Sequence, residues 1–449
     1  MATDFDRFIA QARAARGAFF DGAAPIAAAR APGWVDLMGG PAAPGGALAL
    51  GWPVGGGSFV ALQPTTERRL LVHGGPDEGR ALGLAELERD DGAPREYADA
   101  AARLADAPPA ARLAGAVWLA LMREEFVRFP GGARLLVRPA PGPGAEVGLA
   151  SAIAQALVSA YGIHLAPREL AYVVQTALAR AVGRDPGALG PLVGVCAHGG
   201  SLLQVHQQPR WLWGELHMPP GTALWAITLG DGPPAAPAER GRAGAAMAYA
   251  LAAEAAGLGR ADADGRWLGY LANLGTPFFE ARVRGKLPAT LRGEAFLARH
   301  GPLDGLAVEP DHDYPVRAAA ALAFEEHLRA RMVAALLRAA ASKAQRDEDL
   351  ALAGELLARS HGGQRAAGLG DPRADALVER IYAEGVGQGL YGARAVAGES
   401  GATLVALGRA DAEPALRAIV EAHGRAAGLP IAVYAGSSSG AAAAGTREV

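Results

Sequence analysis

A single cysteine, Cys196, stands among 449 residues. It excludes an intramolecular disulfide framework and a multi-cysteine zinc site, and it fits a reducing compartment. Charge of one sign is also lacking: 43 Lys and Arg stand against 46 Asp and Glu, a formal net charge of −3. With no compact Lys/Arg run, neither nucleic acid nor an anionic membrane is an expected partner. No apolar run is long enough to span a bilayer, and the first residues, M-A-T-D-F-D-R-F-I-A, carry charge where a secretory signal would carry its apolar core. The expectation is a cytoplasmic protein. The 61 glycines and 31 prolines follow no fixed period, which excludes collagen-like and repeat architectures and leaves them as loop punctuation.

What is present is apolar residue in quantity, 51% of the chain, enough for large cores and more than one domain. An amphipathic helix is predicted over residues 4–20, and strands over 58–63, 69–73 and 133–138. Helical periodicity covers 97–129 and 167–182. The Gly-rich P-L-V-G-V-C-A-H-G-G-S-L-L-Q-V then leads toward a hairpin-like region around Trp211 and Trp213. After Pro219 the texture changes to a strand over 223–230 and long Ala/Leu/Arg helices over 243–256, 318–341 and 347–361. The tail alternates between helix (374–383, 412–427) and strand (393–407, 430–434). The composition shift predicts two domains, 1–218 and 219–449, and the irregular order of strands and helices predicts an α+β fold.

One stretch has the form of an anion site. P-G-P-G-A-E-V-G-L-A-S-A-I-A-Q-A-L-V-S-A-Y, residues 141–161, starts too rich in Gly and Pro to be helical and ends with helical spacing at Ile153, Leu157 and Tyr161. A Gly-rich loop opening onto a helix presents backbone N–H groups and the positive end of the helix dipole, while Gly144 and Gly148 permit close approach. An ordinary loop before a helix has the same composition, so the stretch gains meaning only from its context.

That context is three Gly-rich segments in a fixed order. A-P-G-W-V-D-L-M-G-G at 31–40, G-L-A-S-A at 148–152 and G-A-R-A-V-A-G-E-S-G-A-T at 392–403 resemble, in that order, the three motifs of the GHMP family of small-molecule kinases, within its galactokinase and L-arabinokinase branch. Smaller matches include G-E-L-L-A-R-S-H at 354–361 and G-S-S-S-G-A at 436–441. The resemblance covers nearly the whole chain. It implies a two-domain α+β fold, with a ribosomal-protein-S5-like N-terminal domain and a ferredoxin-like C-terminal domain, and ATP, Mg2+ and a sugar as ligands in the cleft between them. Residue by residue, it assigns nucleotide binding to Gly144, Gly148, Leu149, Ser151, Gly398, Ser400 and Gly401, sugar-side contacts to Asp36, Gly39 and Gly40, and a magnesium ligand to Ser151.

The resemblance also marks what has been lost. The arginine of the first motif falls on Trp34, the sugar-holding aspartate later in that loop on Ala43, and the aspartate taken as base or charge partner on Ala197. The helix glutamate that holds magnesium falls on Ala156, and Ala397 and Glu399 replace glycines of the third motif. A carboxylate at 399 would repel nucleotide phosphates unless turned away. The implied reading is a sugar-1-kinase homologue whose phosphotransfer is lost or strongly impaired and which keeps a binding cleft for sugar, nucleotide or a protein partner. The alternative is an active kinase acting on the anomeric hydroxyl of L-arabinose or galactose, with His198 or Glu399 as substitute. Asp36 reads as a brace for its loop. Cys196 and His198 would share a face of an extended strand by geometry alone. Asp311, His312 and Asp313 read as solvated loop charge, and Glu325, Glu326 and His327 as the exposed face of a helix. Trp211 and Trp213 either cover a ligand or pack within a hairpin.

Overall fold

The computed structural model describes residues 3–74, 80–208, 211–230, 237–342, 346–396 and 402–449. The chain divides into two compact units, each assembled from separated stretches: residues 1–34, 52–201 and 436–449 in the first, and 35–51 and 202–435 in the second. The division at 218 expected from composition therefore falls inside the second unit, because strand pairing draws distant segments together.

The first unit is built on a six-stranded sheet ordered Thr446–Glu448, Ala27–Ala31, Ser58–Thr65, Gly132–Arg138, Arg69–His73 and Arg80–Gly83. Its pairs are antiparallel except Arg69–His73 with Gly132–Arg138. The Ala145–Ala160 helix lies against Ala27–Ala31 and Ser58–Thr65. It is buried almost throughout, as its Ala-rich composition requires when neighbouring backbones come close. The predicted first helix spans Asp4–Ala14, starts on a capping box between Thr3 and Asp6, and packs Phe5 stacked and Phe8 tilted against Phe59. The helical stretch expected over 97–129 is two helices, Tyr97–Leu104 and Pro109–Arg123. The Gly-rich segment up to Cys196, for which the sequence indicated no helix, is one, Leu189–Cys196, since an apolar run enclosed by other helices keeps its backbone hydrogen bonds internal. Cys196 is thus the last residue of a helix, so the shared strand face expected of Cys196 and His198 does not exist.

The second unit contains an antiparallel sheet ordered Leu390–Val396, Ala402–Arg409, Thr222–Leu229 and Ile431–Ala435. The Pro372–Gly385 and Glu413–Ala427 helices share a core with it, around Trp225, Leu377, Ile381, Leu404 and Leu416. The helices Pro237–Ala255, Arg260–Trp267 and Val316–Ala340 enclose a second core that includes Phe279 stacked on Phe324. In a further sheet, Leu48–Gly51 pair antiparallel with Leu203–His206. The helix Arg346–Ala366 runs close along Leu390–Val396.

Candidate functional site

In the first unit, Gly144 caps the Ala145–Ala160 helix in the left-handed conformation, φ +66°, which glycine adopts without strain. Its space is taken by Trp34. A methyl added at Gly144 would fall 2.2 Å from the indole Cδ1, and one added at Gly190 would fall 2.6 Å from the same indole. The backbone is equally close. Trp34 N–H donates to Pro143 O at 3.1 Å, and a methyl at Gly148 would meet Pro32 O at 2.6 Å. The glycines of this loop therefore serve close packing of protein on protein, with the indole lodged between loop and helix and its Nε1 buried without a hydrogen-bond partner.

Ser151 and Leu149 lie farther along the same helix, both buried. The Ser151 hydroxyl has no hydrogen-bond partner and faces Gly194, where a methyl would come within 2.8 Å of it. A hydroxyl enclosed between two helices offers no ligand to an ion in solvent. Glu146, in the first helical turn, occupies the positive end of the dipole and pairs with Arg184 at 3.4 Å. With Ser151 enclosed and Glu146 paired, neither side chain of this helix is presented to a magnesium ion.

Ala197 is fully buried at the end of the Leu189–Cys196 helix, and its carbonyl accepts from Gly440 N–H at 2.7 Å. Ser437 and Ser439 accept from Gly200 and Gly199 N–H at 2.6 and 3.2 Å. The serines of G-S-S-S-G thus engage the backbone beside the vacant aspartate position. His198, next in sequence, is exposed.

In the second unit the polar residues converge on a buried ion network. Asp36 is 2% exposed, and Arg394 and Glu326 are 0% exposed. Arg394 Nη2 donates to the Asp36 carboxylate, and Arg394 Nη1 donates to Ser360 Oγ at 3.0 Å and reaches Glu326 Oε1 at 3.4 Å. Ser360 Oγ donates to Glu326 Oε1 at 2.6 Å, and Arg329 Nη1 to Glu326 Oε2 at 3.1 Å. Two guanidinium groups face two carboxylates, the balance that buried charge demands. The loop after Asp36 is tied to the same network: Gly40 N–H donates to Asp36 Oδ2 at 3.0 Å and Gly39 N–H to Glu326 Oε1 at 3.2 Å. Gly39 is left-handed at φ +99°, where a side chain would strike Leu48 O, and a methyl at Gly40 would strike Asp36 Oδ2.

Burial pushes the Asp36 carboxyl up to about 6; Arg394 draws it back down, and Glu326 adds to the rise. His361 accepts from Ala395 N–H at 3.3 Å through Nδ1, and burial holds it below the ordinary histidine value. His327 accepts from Leu48 N–H at 3.1 Å, with burial first and then His206 and Arg331 lowering it to about 4.

Several expectations change here. Glu326 is not part of an exposed face: it is the buried centre of the network, and His327 is turned onto Leu48. Arg394 and Ser360 were not singled out by the sequence; an arginine flanked by Ala393, Ala395 and Val396 in a strand pattern is the signal that was there to read. Ala43 lies in the Gly40–Gly45 turn. Trp211 and Trp213 are exposed on an edge strand, 61% and 52%. Asp311 and Asp313 flank Arg292 at 3.3 and 3.8 Å. Ala397, Gly398, Glu399, Ser400 and Gly401 lie outside the described residues.

No family model matches the chain. In sequence it is 28% identical to the L-arabinokinase of Arabidopsis thaliana over 96% of its own length, and it spans about half of that relative, 47%. In fold it resembles Lactococcus lactis galactokinase, solved with galactose, at a TM-score of 0.69 with 15% identity and 100% of both chains covered. It also resembles the mevalonate kinase of L. major, solved with R-mevalonate, at 0.54 with 15% identity, covering 92% of this chain and 97% of that one. The mevalonate kinase of Methanococcus jannaschii follows at 0.53 with 11% identity, covering 92% and 98%. Among the described residues no helix is long and apolar enough to cross a membrane.

Proposed function

We propose that this chain, a member of the GHMP kinase family on its galactokinase and arabinokinase branch, binds a sugar, a nucleotide or a protein partner without transferring phosphate at ordinary kinase rates. The observation that carries this reading is Trp34, whose indole fills the space over Gly144 and beside Gly190 at the position where the resemblance expects an arginine. Ala197, a buried methyl where a base is expected, adds to it.

Magnitudes favour loss over mere slowing. A positioned general base contributes roughly 10²- to 10⁴-fold, and an arginine at a phosphoryl transition state about 10³- to 10⁵-fold. The two effects do not multiply, since groups acting as a unit are non-additive. Either loss takes a typical turnover of about 1–100 per second down by orders of magnitude. ATP and Mg2+ are the family's expected cofactors, and here Ser151 is enclosed and Glu146 is engaged by Arg184.

Purified protein with MgATP and a panel of L-arabinose, D-galactose and their acid forms tests the reading. The expected result is sugar-dependent ADP release at least about 10²-fold below ordinary kinase turnover. Turnover within that ordinary range overturns it and favours the active kinase, with His198 beside Ala197 as the substitute base; substitution by alanine there would then abolish the rate. Among ligands, a melting temperature that rises with sugar or nucleotide supports small-molecule binding, whereas no rise at millimolar concentration favours a protein partner.

A further inference from the structure

The second unit has a recess of about 210 Å3 between the Pro237–Ala255 and Arg260–Trp267 helices. Arg242 and Tyr249, seven residues apart and so on one helical face, line it from the first helix, and Arg260 and Asp264 from the second. The Tyr249 hydroxyl donates to Asp264 Oδ1 at 2.9 Å and accepts from Gly269 N–H at 3.2 Å. Arg260 approaches the other oxygen of Asp264 at 3.5 Å. The turn that brings Gly269 back to Tyr249 passes through Leu268 at φ +53°, a left-handed conformation that leucine rarely adopts.

Arg242 is the group these contacts leave over. Its Nε is buried without a hydrogen-bond partner, and no carboxylate pairs with it among the described residues. Two arginines and one carboxylate thus line the recess, an excess of one positive charge. Leu271 and Leu306 supply an apolar side. The volume is below the roughly 300–1,000 Å3 of sites for drug-sized ligands, which restricts the occupant to a few carbons. Leu271 and Ala245 also line a small gap under Pro41, Ala42 and Gly45, so the recess lies one side chain away from the first glycine-rich loop.

We propose that this recess binds a small hydroxylated organic monoanion, with its carboxylate or phosphate on Arg242 and a hydroxyl on the Tyr249–Asp264 pair. A planar guanidinium with unused donors matches an oxyanion geometrically as well as in charge. The polar pair, already joined by one hydrogen bond, keeps free lone pairs on both Asp264 and Tyr249 for a ligand hydroxyl.

The test is a thermal-melting titration of the full chain at constant ionic strength with D-glycerate, glycerol 3-phosphate and neutral glycerol. The expected result is a saturable rise with at least one of the two anions at millimolar concentration and none with glycerol; the anion giving the larger rise identifies carboxylate or phosphate as the preferred head. Arg242→Gln should weaken the response about tenfold or more, as loss of a charge-assisted hydrogen bond requires. Arg242→Lys, which keeps the charge and loses the fork, should fall between the two, and it carries the test if the glutamine variant does not fold. No saturable rise with either anion, an equal rise with glycerol, or an undiminished rise in both variants overturns the proposal.

Discussion

Asp36 is held where its own charge is opposed. Burial outweighs the Arg394 ion pair, and the carboxyl titrates near 6 in the folded chain against 3.8 as its ordinary value. The folded state therefore binds the proton more tightly than the unfolded one. Its contribution to stability is fully present below about 3.8 and is lost as pH rises through about 6. Asp36→Asn is neutral at every pH and should remove this component: in urea melts, the stability of the wild type relative to the variant should fall between pH 4 and pH 6 and then level off. A difference independent of pH would show Asp36 ionised throughout. Trp34 poses the opposite case, a side chain whose bulk and not its charge decides the site. Trp34→Ala should lose about 3 kcal/mol of stability by opening a cavity over Gly144 and Gly190. If the indole also keeps phosphate from the loop, the variant should show a larger ATP-dependent rise in melting temperature than the wild type, measured relative to each protein alone.

At the scale of elements, the helices were legible where periodicity and breakers agreed. Residues 167–182 read as one helix and form Pro167–Thr176 continued by Ala177–Val182, and the strand at 69–73 is found as Arg69–His73. The Leu189–Cys196 helix was not legible. Its Gly190 and Gly194 look like loop residues, yet they are there because Trp34 and Ser151 pack against that helix too closely for a side chain. Glu326 was misread for a related reason: Val316–Ala340 is apolar or alanine on more than one face, so spacing alone could not say which charged residue turns inward. Besides the local Arg329, burial there depends on Arg394, 68 residues away in sequence, and local pattern holds no record of that second partner. Asp36, Gly39 and Gly40 were legible as positions of a motif, and the ion network that joins them to Glu326, Ser360 and Arg394 was not. The same close packing gives an element-scale prediction. Gly354, in the Arg346–Ala366 helix, lies so near the Leu390–Val396 strand that a methyl would fall 1.9 Å from Tyr391 O. Gly354→Ala should therefore cost about 1–3 kcal/mol despite alanine's better helix propensity, read as a lower urea midpoint with an unchanged slope.

At the scale of the molecule, neither unit is a continuous piece of sequence, and this determines how the chain can be cut. Thr446–Glu448, at the far end of the sequence, pairs with Ala27–Ala29 and forms one edge of the first unit's sheet. Leu48–Gly51, near the beginning, pairs with Leu203–His206 in the second unit. Composition places a boundary at 218 because the helical texture changes there, but hydrogen bonding follows strands, and strands recruit partners over any sequence distance. A fragment ending at residue 218 would leave the Ala27–Ala31 edge unpaired and would carry Val35–Gly51 without most of the unit to which it belongs. An uncovered edge beside apolar core is a template for aggregation. Fragment 1–218 expressed alone should therefore melt without a cooperative transition or associate in sedimentation, whereas the full chain should unfold cooperatively. A monomeric, cooperatively folding 1–218 would show that the first unit stands without its final strand, and that the change of texture at 218 marks a true domain boundary.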